Sequence, residues 1–337
     1  MLKSPVGRKA WTITPALVLA ASLAWGDEEH ANTFQPFVKG DIFVASTIMD
    51  HPTDDHMGTG RIFQYDAELN LKGELYTKGT THKIGGLNFA PDGTLWAFAQ
   101  GTPAVVEIGP DGVQKPVRRF SERSLSSVTF ARDGSLYFGE HLQGPNTTIP
   151  TNTTVFNLLM GRDVIGDGNI FKFSPDARLL QEFHSDTHGG VVGIHGVTST
   201  VLTDDDTRMV YLSETGNRVM QYDLANDRQL PDLRVFEDDE NVFMVLTLMP
   251  MLDGSLLIST GNGLVVLDKD SGETLRYYDM RSPGWAASGP TVDGAGIIVG
   301  NFFTGEVVII GRETGEVVRS NNIGQTNSLS GVAQFPG

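Results

Sequence analysis

A small set of side chains in this sequence has the types and the spacing to do chemistry together. Glu140 and Glu214 are carboxylates at the ends of apolar alternating runs, while His82, His141 and His195 stand at the ends of such runs or just before them. Trp285, Asn301 and Phe302 hold corresponding places further along. Carboxylates with amide oxygens suit Ca²⁺ or a similar hard ion. Imidazoles suit Zn²⁺, Fe or Mn²⁺. Glu140 and Glu214 are therefore the expected catalytic carboxylates, with His82, His141 and His195 the expected ligands of one divalent metal. Trp285, Asn301 and Phe302 are the expected substrate contacts, the two aromatics acting as apolar walls. A dense group, His51, Asp54, Asp55 and His56, reads as a charged loop, and so does the acidic run Glu237–Glu240.

Residues so far apart in sequence need a repeating scaffold to bring them to one place. The stretch from Ile194 to Leu224 shows the unit: a small-residue entry, an acidic turn at Asp204–Asp206, an alternating strand, a Gly216-Asn217 turn and another alternating strand. The same antiparallel meander recurs along the chain. Asp-Gly turns at 92, 133, 253 and 293 space the units by about 40 residues, a period of propeller blades. Six units are predicted, the first one strand short. A leftover strand at Ser330–Phe335 supplies the missing piece and removes the open edge. The expected fold is all-β, a six-bladed β-propeller over residues 41–337 with a Velcro closure. Blade 2 is expected to finish with a fourth strand over 113–120.

In this fold the loops entering each inner strand and the ends of each second strand share one face, where the central site opens. The second strands end at Ser46, Ala99, Glu140, Glu214, Thr260 and Asn301, and Gly85, Ser126, His195, Ser288 and Ser330 enter the first strands. An insertion at about 141–168 interrupts blade 3 on that face and is a candidate lid.

Formal net charge is −16, with acids spread along the chain, so nucleic acid is excluded as a partner. Residues 1–24 carry Lys3, Arg8 and Lys9, an apolar run and Ser22-Leu23-Ala24, the pattern of a cleavable secretory signal. The run is shorter than the ~20 residues of a membrane span. Residues 25–40 read as a leader or capping arm. The mature protein is expected to be periplasmic or secreted, off the membrane and monomeric. Without cysteine it has neither disulfides nor thiolate chemistry.

The unit HGVTSTVLTDDDTRMVYLSETGNRVMQYDL, residues 195–224, resembles a blade of the senescence-marker-protein/gluconolactonase/luciferin-regenerating-enzyme superfamily, with strictosidine-synthase-like proteins as relatives. That resemblance implies a six-bladed propeller with a divalent metal on its axis that hydrolyses lactones or related esters of small molecules. The metal polarises the carbonyl and a nearby carboxylate handles the proton. His195 at the start of an inner strand also resembles the zinc-ligand position of peptidyl-hydroxyglycine lyase propellers, and several histidines hold iron in carotenoid-cleaving oxygenases. A His-metal lyase or oxygenase acting on a small aromatic or apolar substrate is thus an alternative expectation. A non-catalytic binding propeller is the third.

Overall fold

The computed structural model describes residues 31–51, 54–80, 84–99, 103–121, 124–141, 168–187, 196–203, 205–213, 216–237, 240–242 and 244–337, without the side chains of 50–57. The expected signal peptide, nearly all of the insertion, His82, His195, Glu214 and the side chains of the His51–His56 group lie outside this description.

Every described element is a strand, and the strands form six antiparallel sheets. Blade 1 contains β1 (Ile42–His51), β2 (Asp54–Tyr65) and β3 (Leu71–Tyr76). Blade 2 contains β4 (Ile84–Phe89), β5 (Leu95–Ala99) and β6 (Val105–Ile108). Blade 3 has β7 (Leu125–Phe130), β8 (Leu136–Glu140), β9 (Ile170–Phe173) and β10 (Leu179–Phe183). Blade 4 has β11 (Ser199–Leu202), β12 (Arg208–Leu212), β13 (Arg218–Asp223) and an outer edge split between β14 (Arg228–Gln229) and β15 (Arg234–Val235). Blade 5 has β16 (Thr247–Pro250), β17 (Leu256–Ser259), β18 (Gly263–Leu267) and β19 (Thr274–Asp279). Blade 6 has β20 (Trp285–Pro290), β21 (Gly296–Asn301), β22 (Glu306–Gly311) and β23 (Val317–Asn322). The last strand, β24 (Gly331–Gln334), pairs with β1 and is the inner strand of blade 1.

The inner strands β24, β4, β7, β11, β16 and β20 each touch the next, and β20 touches β24. The ring is therefore closed by the terminal strand, as expected. Each blade is covered on both faces, so its middle strands read as continuous apolar runs rather than alternating ones. Leu95–Ala99 and Leu136–Glu140 are buried throughout. The core is accordingly divided into six apolar clusters, one at each blade-to-blade joint.

The turns between first and second strands explain the Asp-Gly period. Gly93, Gly134, Gly254 and Gly294 all adopt left-handed φ, from 70° to 85°, where a Cβ is strained. The aspartate before each glycine accepts a backbone N–H two residues on, from Thr94, Ser135, Ser255 and Ala295. Blade 4 departs from this pattern: Asp206 takes the left-handed position at φ 56° and Asp205 is the acceptor.

One expected element is absent from the described residues. Residues 114–118 form only two isolated bridges, Ile108 with Gln114 and Val105 with Arg118, instead of a fourth strand in blade 2. The physical reason lies in Pro116 and in Gly112, whose left-handed turn precedes a segment that meets β6 only at these two points. Residues 32–37, read as a capping arm, lie across this corner: Phe37 donates to Pro110 (2.7 Å) and Asn32 to Gly112 (3.2 Å).

Candidate functional site

The second strands bring their last residues to one end of the molecule, and blade 3 brings two ionisable groups there. Glu140 ends β8 and is 0% exposed; His141 follows it at 2%. Gly139 precedes them for a steric reason: a Cβ there would stand inside the van der Waals shell of the Val197 carbonyl and 2.8 Å from Val197 Cγ1. Without that Cβ, Val197 of blade 4 approaches closely, and its N–H donates to the Glu140 carbonyl (2.7 Å). The described chain of blade 4 resumes at Gly196, immediately after His195.

The Glu140 carboxylate accepts two backbone N–H groups, from Gly168 (2.9 Å) and Asn169 (3.0 Å). These residues close the 141–168 insertion, so the carboxylate fixes where the inserted chain re-enters the blade. Ser185 adds a bond from its hydroxyl to the Gly168 carbonyl (3.0 Å), and the Asn169 amide donates to Glu182 (2.9 Å). The backbone N–H of His141 donates to the Ser124 carbonyl (3.0 Å). Tyr211 of blade 4 lies within bonding distance of the Asp186 carbonyl (2.7 Å), and burial pushes its phenol pKa up.

Around the same end, hydroxyls tie neighbouring blades together. Ser46 meets Ser328 (3.2 Å), Ser259 donates to Ser288 (2.8 Å), Ser126 to the Val197 carbonyl and Ser330 to the Ile84 carbonyl. The serines expected to face a ligand are thus engaged in joints between blades. Ser328 joins this group without having been singled out; the signal was a serine at or near the entry of several first strands. Thr47, beside Ser46, keeps a buried hydroxyl without a hydrogen-bond partner among the described residues.

The expected substrate contacts divide into two kinds. Trp285 begins β20 with its indole in the cluster between blades 5 and 6 and its N–H directed to Ser282 (3.2 Å). Asn301 is buried, and both ends of its amide serve the backbone: Oδ1 accepts from Phe303 (2.9 Å) and Thr304 (3.1 Å), and Nδ2 donates to Pro283 (3.0 Å). It builds the turn that presents Phe302 and Phe303. Phe302 is half-buried and meets Phe303 edge to face at 5.5 Å; Phe303 is 50% exposed. This pair is the aromatic surface that blade 6 offers at the mouth.

Among the described residues no three His, Cys, Asp or Glu side chains converge as a metal site. Of the three expected histidine ligands only His141 lies among the described residues.

No protein-family model matches this chain, and no curated protein matches it. Solved structures do. A chain of the nidogen/laminin complex superposes with TM-score 0.58 at 10% identity, over 87% of this chain and 97% of that one. A protein of unknown function from Bacteroides caccae gives 0.58 at 12% identity, over 89% and 100%. Virginiamycin B lyase from Staphylococcus aureus gives 0.48 at 12% identity, over 73% and 71%. The likeness is one of fold.

Proposed function

We propose that the protein is a small-molecule enzyme working at the propeller mouth beside blade 3, as an exported metal-dependent hydrolase of lactones or related esters. The observation that supports it is the buried pair Glu140–His141, since ionisable side chains are rarely taken out of water without a partner or a task. Within this reading Glu140 is first a positioning residue, because its carboxylate holds the backbone of Gly168 and Asn169. Glu214 handles the proton, and Phe302 with Phe303 forms the apolar wall. His82, His141 and His195 would hold the metal, which when bound polarises the ester carbonyl.

The test is metal content and turnover of the mature, untagged protein after dialysis against metal-free buffer. One equivalent of metal that is lost in His141→Gln, with lactone or ester hydrolysis lost in Glu214→Gln, is the expected result. Bound metal with no hydrolysis of any ester would replace the hydrolase by a His-metal lyase or oxygenase. No metal and no turnover would leave a binding propeller.

A further inference from the structure

The segment Asn32–Phe37, Asn-Thr-Phe-Gln-Pro-Phe, has no place in the six-blade repeat, yet the fold is cleared for it at two glycines. A Cβ on Gly73 would stand inside the van der Waals shell of the Thr33 carbonyl, and one on Gly112 would lie 3.0 Å from the Gln35 carbonyl. Gly112 is left-handed in its own right, but Gly73 sits within β3. Glycine inside a strand marks a place where another backbone comes close.

That backbone is fastened along its length. The Thr33 N–H donates to the Glu74 carbonyl (2.9 Å) and the Glu74 N–H to the Thr33 hydroxyl (2.8 Å). The buried Gln64 side chain then treats Gln35 as a neighbouring strand would: Oε1 accepts its N–H (2.9 Å) and Nε2 donates to its carbonyl (3.2 Å). Gln64 Nε2 also reaches Asp41 (2.8 Å), which pairs with Lys72 (2.6 Å). At the far end the Phe37 N–H holds the Pro110 carbonyl (2.7 Å). Pro36 fixes its own φ and keeps Gln35 extended, so the arm has little freedom to lose on docking.

The rings show what the arm joins. Phe37 lies 4.5 Å from Phe43 of β1, 6.2 Å from Phe89 of β4 and 5.5 Å from Phe335, the residue after β24. Phe34 adds a second edge contact to Phe43 at 5.6 Å. Phe335 stands there because β24 pairs with β1 over Gly331–Gln334. The root of the arm grips the same residue: the Gly40 N–H donates to the Phe335 carbonyl (3.0 Å), and the Phe335 N–H to the Asp41 carbonyl (2.8 Å). The arm thus covers the corner where blade 2 lacks a fourth strand, over a pocket that is complete only when the ring is closed.

We infer that the arm is a lock on the ring closure. It docks once β24 has paired with β1, and while docked it holds β24 in place. The lock is independent of the chemistry proposed at the mouth.

The experiment is native-state hydrogen exchange of the full chain, comparing wild type with Gly73→Ala and Phe37→Leu. In the wild type the Thr33, Gln35 and Phe37 amides, all donors in the docked arm, are protected. Gly73→Ala displaces the arm from the blade side and Phe37→Leu loosens it from its own side. Each speeds exchange of the arm amides, and of β24 and Phe335, by about tenfold, the upper worth of a ring pair. The β17 amides of blade 5, away from this joint, keep their wild-type rates. Phe37→Leu retains an apolar side chain in the joint, so it decides the matter if Gly73→Ala does not fold. Wild-type rates in β24 when the arm amides exchange freely overturn the lock. Equal acceleration of β24 and β17 also overturns it, since the arm would then only add to global stability, as does an arm unprotected in the wild type.

Discussion

Glu140 finds its carboxylate partners at Gly168 and Asn169, across the whole insertion. Two N–H bonds to a buried carboxylate are strong and leave costly orphans when one side is removed. Glu140→Ala is therefore expected to lower stability by about 3 kcal/mol in urea unfolding, and Glu140→Gln by about 1 kcal/mol, since one acceptor oxygen remains. An unchanged midpoint in Glu140→Ala would contradict the anchoring role. Asp253 makes a prediction in pH. Its Ser255 hydroxyl bond, the Ser255 N–H and Arg312 lower its pKa from 3.8 to about 2 against the opposing effect of burial. A lowered pKa stabilises the fold above the unfolded value and ceases to do so as pH falls through the folded value. The stability gap between wild type and Asp253→Asn is therefore full at pH 6 and closes between about 4 and about 2; a gap constant over that window would refute it. At this scale the sequence was only partly legible. Alternation put Trp285 and Asn301 near the mouth, but alternation does not say which residues the neighbouring blade covers. Asn301 did carry a readable sign, an Asn before Phe-Phe-Thr-Gly, the pattern of a side chain capping its own turn.

Strands and turns were far more legible, because Asp-Gly turns and apolar runs are local signals that packing then reinforces. The departures have local causes too. Blade 2 lost its expected fourth strand where the chain meets β6 only at isolated bridges. The terminal strand gives the sharpest expectation at this scale. Deleting residues 329–337 removes β24, exposes the edge of β1 and opens the contacts to β20 and β4. The truncated chain should lose its cooperative thermal transition and aggregate through the uncovered edge; a single sharp melt near the wild-type temperature would show that the clasp is dispensable. Gly139→Ala probes a joint instead of a clasp. The added methyl meets the Val197 carbonyl and Cγ1, and overpacking of this kind costs about 2 kcal/mol. Chemical denaturation that finds no loss would mean that blades 3 and 4 can move apart freely.

Across the whole molecule, the period announces six blades, and those blades place polar ends from every part of the chain around one mouth. What the period cannot announce is which of those ends touch a ligand. Most of the polar ends that the structure describes are tied up in joints and turns, as the Ser46–Ser328, Ser259–Ser288 and Asn301 bonds show. Blade 3 stands apart with two consecutive buried ionisable residues, Glu140 and His141, and the account of function rests there. The most direct measurement is the hydrolysis of a panel of lactones and aryl esters by metal-replete wild type and by His141→Gln, each first shown to melt cooperatively. The account predicts turnover by the wild type that falls by about a hundredfold in the variant, because a side chain proposed to hold the metal is removed. No turnover of any member of the panel by the wild type, or equal turnover by the folded variant, would contradict it.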